Sequence, residues 1–161
     1  MNKKYIFNTK YGWILVKYTN KGIVSLRLPS LRKNIEYFCK EKVPTGFLKR
    51  LKKDFNKYFD GKKVSFKYPV VISEYTEFSK KVWLALIKIP YGKVVSYKKL
   101  AEKIRNLKSF RAVGNALTKN PIPVIIPCHR VILSNGELGR FSGGIKWKKL
   151  LLKIEGVLKY D

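Results

Sequence analysis

Pro127-Cys128-His129-Arg130 is the segment of this 161-residue chain whose residue types and order could do covalent chemistry. A cysteine thiolate is a strong nucleophile, and cationic neighbours favour it over the free thiol, whose pKa is about 8.5. His129 and Arg130 would supply such neighbours, and Pro127 fixes the backbone just ahead of the sulfur. A cysteine in isolation is more often a small buried hydrophobe. Cys39, between Phe38 and Lys40 in a charged segment, keeps that plainer reading. Adjacent residues of an extended strand point to opposite faces. His129 therefore reaches Cys128 only if the chain turns there or if a water relays the proton. A buried imidazole also needs a partner to fix its tautomer and stabilise its charge. Glu155, at the end of the last predicted helix, is the candidate, against the alternative of a solvated surface carboxylate.

Other chemistries find little material. Two cysteines and one histidine cannot close a four-ligand structural zinc site without a carboxylate, and the cysteines are too far apart for a CxxC redox pair. Ten acidic residues, thinly scattered, do not suggest a two-metal nuclease. The sequence is thus expected to work without a metal. No apolar run approaches the roughly 18 residues of a membrane helix, and Trp13 to Val16 is too short for a signal peptide. A soluble, cytoplasmic (intracellular) protein is expected. Lys and Arg number 36 against 10 Asp and Glu, a net charge of +26. That charge suits a polyanion, because each phosphate contact releases a bound counterion. It is spread evenly, however, with 18 basic residues in Met1 to Ile72 and 18 in Ser73 to Asp161. A lysine-rich surface set by coding bias or growth temperature would look the same.

With 45% hydrophobic and 14% aromatic residues the chain can bury a core, in one domain or two small ones. The first third reads as an antiparallel meander. Tyr5 and Phe7, Trp13 to Tyr18 and Ile23 to Leu28 form β segments separated by turns at Lys10-Tyr11-Gly12 and Asn20-Lys21-Gly22. The charged stretch through Leu31, Glu36 and Lys42 is left as helix or loop. A helix is predicted from Gly46 to Phe59 with Gly61 as its stop, and Tyr68 to Ile72 is a strand or a linker. From Thr76 the pattern turns helical. Thr76 caps a helix that ends at Pro90 and Gly92, and Ser96 caps Tyr97 to Ile104. After Arg105 to Lys108 a third helix runs from Ser109 to Lys119. Two short helices within about 25 residues have the layout of a helix-turn-helix reader. Pro121 and Pro123 bar further helix. Val124 to Ile126 is expected as a short buried strand entering the Cys128 segment, continued by Val131 to Leu133. Asn135-Gly136 signals a hairpin turn, making Ser134 to Gly144 a wing-like loop, and Ile145 to Glu155 is the last helix.

From about Phe78 to Gly156 the chain resembles the O6-alkylguanine-DNA alkyltransferases, or methylated-DNA–protein-cysteine methyltransferases. The resemblance rests on Ile89-Pro90-Tyr91-Gly92, Ser96-Tyr97, Arg111-Ala112-Val113-Gly114, Asn120-Pro121, Ile126-Pro127-Cys128-His129-Arg130-Val131, Phe141-Ser142-Gly143-Gly144 and Glu155-Gly156. It implies an α+β protein, with a small N-terminal antiparallel-sheet domain of ribonuclease-H-like type over residues 1–75. A C-terminal winged helix-turn-helix alkyltransferase domain would follow over 76–161. The implied activity is DNA repair, in which the alkyl group of O6-alkylguanine, and by extension of O4-alkylthymine, in duplex DNA passes irreversibly and stoichiometrically to Cys128 after base flipping.

The resemblance also implies roles. Cys128 would be the acceptor, His129 the base acting through a water, Glu155 its orienting partner, and Tyr97 the donor toward O6 or ring N3. Asn120 would tie the reader helix to the active-site segment. The Cys128 and Val131 carbonyls would accept from the guanine amino group, the Ser142 N–H would donate to O6, and Phe141 and Gly143 would complete the base pocket. Arg111 would fill the vacancy left in the stack. Ala112, Gly114 and Ala116 would let the helix lie close in a minor groove, against the alternative of tight helix packing. Lys98, Asn106 and Ser134 would touch phosphates. Phe141 stands where some relatives have Tyr, and Asn115 and Arg140 also depart from the pattern. No cofactor is implied, because the damaged base carries the activated alkyl group. A monomer with no membrane partner is expected. The competing readings are a non-reacting alkylguanine sensor and a winged-helix DNA binder whose Cys128 is only core.

Overall fold

The computed structural model describes residues 1–30 and 46–159, which fall into two units, Met1–Val71 and Ile72–Asp161. Cys39 and the stretch from Leu31 to Lys42 lie outside the described residues.

In the first unit, β1 (Lys3–Thr9), β2 (Gly12–Thr19) and β3 (Gly22–Arg27) form an antiparallel sheet in that order. Alternation sets its faces: Tyr5, Phe7, Ile14 and Val16 are buried while Lys3, Lys4 and Asn8 are exposed. Helix α1 (Phe47–Phe59) covers the apolar face with Leu48, Leu51, Phe55, Tyr58 and Phe59. The joint is aromatic, with Phe7 and Phe55 ring centroids 5.8 Å apart and Phe55 and Phe66 4.9 Å apart. Tyr68 to Ile72 proves to lie between strand and linker. Among the described residues it pairs with the sheet through Ile23, whose N–H donates to the Pro69 carbonyl at 2.9 Å and whose carbonyl accepts from Val71 N–H at 2.7 Å. Gly22 permits that approach, since a Cβ there would stand 2.4 Å from the Pro69 oxygen.

The second unit runs α2 (Glu77–Ile87), β4 (Val95–Ser96), α3 (Tyr97–Lys103), α4 (Phe110–Thr118), a single 3-10 turn at Cys128–Arg130, β5 (Val131–Ile132) and α5 (Ile145–Ile154). The two expected caps form: Thr76 Oγ1 accepts from Ser79 N–H at 3.2 Å and Ser96 Oγ from Lys99 N–H at 3.1 Å. Each is worth about 1 kcal/mol. Trp83, wholly buried on α2, donates its indole N–H to the Ala116 carbonyl of α4 at 2.9 Å. Ala116 is therefore small because helices pack there, and not to admit a groove.

The expected strand at Val124 to Ile126 does not exist. The chain folds into a tight loop closed by Ile126 N–H donating to the Ile122 carbonyl at 2.9 Å. Val124 is buried in that loop with φ at 74°, a conformation costly for a β-branched residue. The prolines on either side, Pro123 and Pro127, exclude the ladder a strand would need. Strand β5 stops at Ile132, one residue short of expectation. Leu133 instead closes the Asn135-Gly136 turn by donating to Glu137 at 2.8 Å and accepting from Gly136 at 3.0 Å. Strand β4, which periodicity did not reveal, pairs in parallel with β5 through Val95–Val131 and Ser96–Ile132. Two residues are too few to show an alternation. Among the described residues no helix is long and apolar enough to cross a membrane.

Candidate active site

Cys128 sits at the start of the 3-10 turn, 3% exposed. The chain turns at the sulfur, so neighbouring side chains here are not thrown to opposite faces as in a strand. Asn120, at the end of α4, organises the approach. Its Nδ2 donates to the Ile126 carbonyl at 2.7 Å and to Cys128 Sγ at 3.1 Å, while its Oδ1 accepts from Ile122 N–H at 2.9 Å. One amide therefore clasps both ends of the strained loop and touches the sulfur.

His129 is fully buried, with Nε2 2.7 Å from Glu155 Oε1. Glu155 is no surface carboxylate. It follows α5 directly and is 5% exposed. It also accepts from Arg130 Nε at 2.9 Å and Nη2 at 2.9 Å, and from Gly92 N–H at 3.0 Å. Arg130 Nη1 donates to the Ile89 carbonyl at 2.6 Å, and the Tyr91 hydroxyl to the Ile154 carbonyl at 2.8 Å. The Ile89-Pro90-Tyr91-Gly92 turn thus serves as a collar around the end of α5. Gly92, at φ 74°, is pressed so close that a Cβ would stand 3.1 Å from the Glu155 carbonyl.

The electrostatics follow from these contacts. Burial pushes Glu155 up, but the hydrogen bonds and charges of His129 and Arg130 outweigh it and hold the carboxyl at about 2. Burial lowers His129 below its ordinary value, against the pull of Glu155. The direction is physically reasonable, because Arg130 already neutralises the carboxylate. A neutral imidazole that donates from Nε2 carries its lone pair on Nδ1. For Cys128 the expectation of a readily ionised thiol is corrected. Burial pushes it up to about 11, and the Asn120 hydrogen bond and the Lys148 charge offset only part of this. The guanidinium of Arg130 is engaged with Glu155 and Ile89 and is not what steadies a thiolate.

Lys148 is the functional candidate that sequence reasoning missed. It lies on α5 with no exposure at all, and its Nζ donates to the Val131 carbonyl at 2.5 Å and the Arg140 carbonyl at 3.3 Å. Burial lowers it to about 8, with the charge of Cys128 pulling the other way. One of 36 basic residues is hard to single out by type. The available signal was its place at helical spacing beside Leu151 and Leu152, on the apolar stripe of α5.

The remaining expected residues divide by exposure. Tyr97 is partly buried, and burial and the charge of Cys128 raise its hydroxyl while Arg140 lowers it. Val131 is buried; Phe141 is partly buried, its ring filling the space a Gly143 side chain would take, 2.7 Å from such a Cβ. Ser142 and Gly143 are exposed, as are Arg111, Ala112, Lys98, Asn106 and Ser134. A Cβ on Gly114 would meet nothing within 4 Å. Its smallness serves no packing inside the protein, although glycine costs a helix about 1 kcal/mol.

Two successive short helices, α3 and α4, in one unit with a buried cysteine and a buried His–Glu–Arg cluster are the arrangement that the comparisons with known proteins match. The family model for the DNA-binding domain of 6-O-methylguanine DNA methyltransferase matches residues 77–157. A methylated-DNA–protein-cysteine methyltransferase of Methanosarcina acetivorans is 38% identical over 94% of this chain and 96% of its own. One from Saccharolobus islandicus is 48% identical over 62% of this chain and 64% of its own. The solved structure of Mycobacterium tuberculosis OGT in complex with DNA superposes with a TM-score of 0.79 at 32% identity, over 95% of this chain and 92% of that one. The chain belongs to the methylated-DNA–protein-cysteine methyltransferase family, and its α+β fold, a small three-stranded antiparallel sheet with helices, is the fold of these neighbours.

Proposed function

We propose that this protein repairs O6-alkylguanine in duplex DNA by moving the alkyl group onto Cys128, once per molecule. The observation that carries this reading is Asn120 on Cys128 Sγ at 3.1 Å, with the next residue of the turn, His129, buried against Glu155 at 2.7 Å. In one in-line displacement the S–C bond forms as the C–O6 bond breaks. The thiol proton passes to His129 through a water, and the electron pair returns to the guanine, which takes a proton at O6 or ring N3 from Tyr97. Solvent then carries the imidazolium proton to the Tyr97 phenolate, so both side chains end as they began. Glu155 holds the imidazole and balances the charge it gains, and Arg130 fixes the carboxylate in place. A thiol near 11 in the resting protein means that proton loss accompanies attack instead of preceding it.

The target base must leave the stack, which costs a few kcal/mol. The exposed run Arg111-Ala112 and the unhindered Gly114 on α4 suit a helix lying in a groove with one long side chain entering the duplex. Phe141, Ser142, Gly143 and the Val131 carbonyl form the base pocket in this reading, and Lys98, Asn106 and Ser134 meet phosphates. The Val131 carbonyl shares its capacity with Lys148, which its second lone pair allows. Residues 76–161 carry the chemistry and 1–75 support it; a single chain acts in the cytoplasm, without cofactor or membrane. A thioether offers no route back to the thiol, so turnover stops at one.

Duplex DNA bearing a labelled methyl on O6 of guanine tests the proposal. Label should appear on the peptide containing Cys128 and be absent in Cys128→Ala. Tight binding of the damaged duplex with no label transferred would instead leave a sensor or a plain DNA binder.

A further inference from the structure

Every DNA contact proposed above lies in the second unit, yet the charge is not concentrated there. Ile72–Asp161 holds 18 basic and 6 acidic residues, a net +12, whereas Met1–Val71 holds 18 and 4, a net +14. The unit without the reactive thiol is the more positive one, and the proposed reaction gives that charge nothing to do.

Helix α1 shows where part of it is organised. One stripe of the helix is buried in the aromatic core. Away from that stripe, Lys49, Lys53 and Lys57 recur at i, i+4 and i+8, all exposed. Together with Lys52, Asn56 and Asp60 they line a shallow cleft of about 360 Å³. Among the described residues, Asp54 and Asp60 of this helix and its cap are engaged elsewhere. Asp60 pairs with Lys10 at 3.0 Å, and Asp54 accepts from the Tyr68 hydroxyl at 2.6 Å, where Arg50 lies over the Tyr68 ring. Like charges at i, i+4 each weaken an isolated helix by a few tenths of a kcal/mol. A row of three carries that penalty twice and leaves a linear array of positive charge.

The spacing indicates which anion fits. At 1.5 Å per residue the three ammonium groups recur about every 6 Å along the helix. Phosphates of one strand advance about 3.4 Å each along the axis while winding round it, so consecutive ones lie about 7 Å apart in space. Flexible lysine stems absorb the difference. A single phosphate or a compact anion would meet only one of the three. From this periodic match we infer that the outer face of α1, through Lys49, Lys53 and Lys57, is a second surface for the phosphate backbone of duplex DNA, additional to the helix-turn-helix.

The test is the full-length triple variant Lys49→Gln/Lys53→Gln/Lys57→Gln, binding an unmodified 30-base-pair duplex over a range of salt concentrations. Glutamine matches lysine in helix propensity, and the unfolding midpoint in urea verifies that the fold survives. Each phosphate contact contributes about 0.9 to the slope of log K against log salt, so the triple should flatten it by about 2 to 3. A charge-matched control, Lys3→Gln/Lys4→Gln/Lys21→Gln, should flatten it by less than about 1. A change below about 1 in the α1 triple, or an equal change in the control, overturns the inference. The duplex is undamaged and no alkyl transfer is read, so this result and that of the labelled-methyl assay stand or fall separately.

Discussion

Phe55 in the first unit and Glu155 in the second are almost equally hidden, at 0% and 5% exposed, but their surroundings are opposite. Phe55 meets Phe7, Phe59 and Phe66, rings that need only area and shape. Glu155 meets His129, Arg130 and a backbone N–H, and the same unit buries Lys148 and Asn120. An apolar core tolerates approximate substitution and is indifferent to pH. A buried charged cluster is stable only when complete, because each partner left behind is a desolvated charge. The reactive unit thus trades robustness for a fixed arrangement around one sulfur. Burial also acts on the thiol itself, holding it protonated at neutral pH.

The comparison can be broken most directly at Glu155. Glu155→Ala leaves Arg130 and His129 buried without their acceptor, so it should destabilise by about 3–5 kcal/mol in urea unfolding. A loss under about 1 kcal/mol would mean that the cluster is ordinary packing. Acid sharpens the contrast next. The Glu155 carboxyl is held at about 2 against an ordinary 4.5, so its contribution is full above the higher figure and is lost as pH falls toward the lower. Wild type should therefore lose stability between those values more steeply than Glu155→Gln, whereas Phe55→Leu should leave the slope of wild type unchanged. The smallest effect concerns Lys148. Alkylation of Cys128 by iodoacetamide should rise about tenfold per pH unit from 7 to 10, as a thiol near 11 requires. Lys148→Met should slow it a few-fold at pH 8, by removing a charge that favours the thiolate. A rate that levels off near pH 9 in wild type would refute the burial argument.

The helices were legible because their signals are local: Thr76 and Ser96 announce their caps, and α5 shows its stripe through Trp147, Leu151 and Ile154. The sheet was equally plain from alternation and turn residues. Val124 to Ile126 misled because apolar β-branched residues suit a strand or a buried turn alike, and the flanking prolines carried the deciding information. Ala116 misled because small residues mark close approach without saying to what. The sequence likewise offered Arg130 as a neighbour of the thiol, whereas its guanidinium reaches Glu155 and Ile89.

What the residue order alone determined is the set of elements, the reactive segment and the family motifs, since propensity, capping and spacing act over a few residues. Which charges are buried together was decided only by the tertiary structure. Glu155 and Gly92 are 63 positions apart, Arg130 and Ile89 are 41 apart, and Lys148 finds Val131 across 17. No local pattern encodes such meetings. Their consequences for the Cys128 and Glu155 proton affinities depend on desolvation, a property of the packed whole and not of any segment.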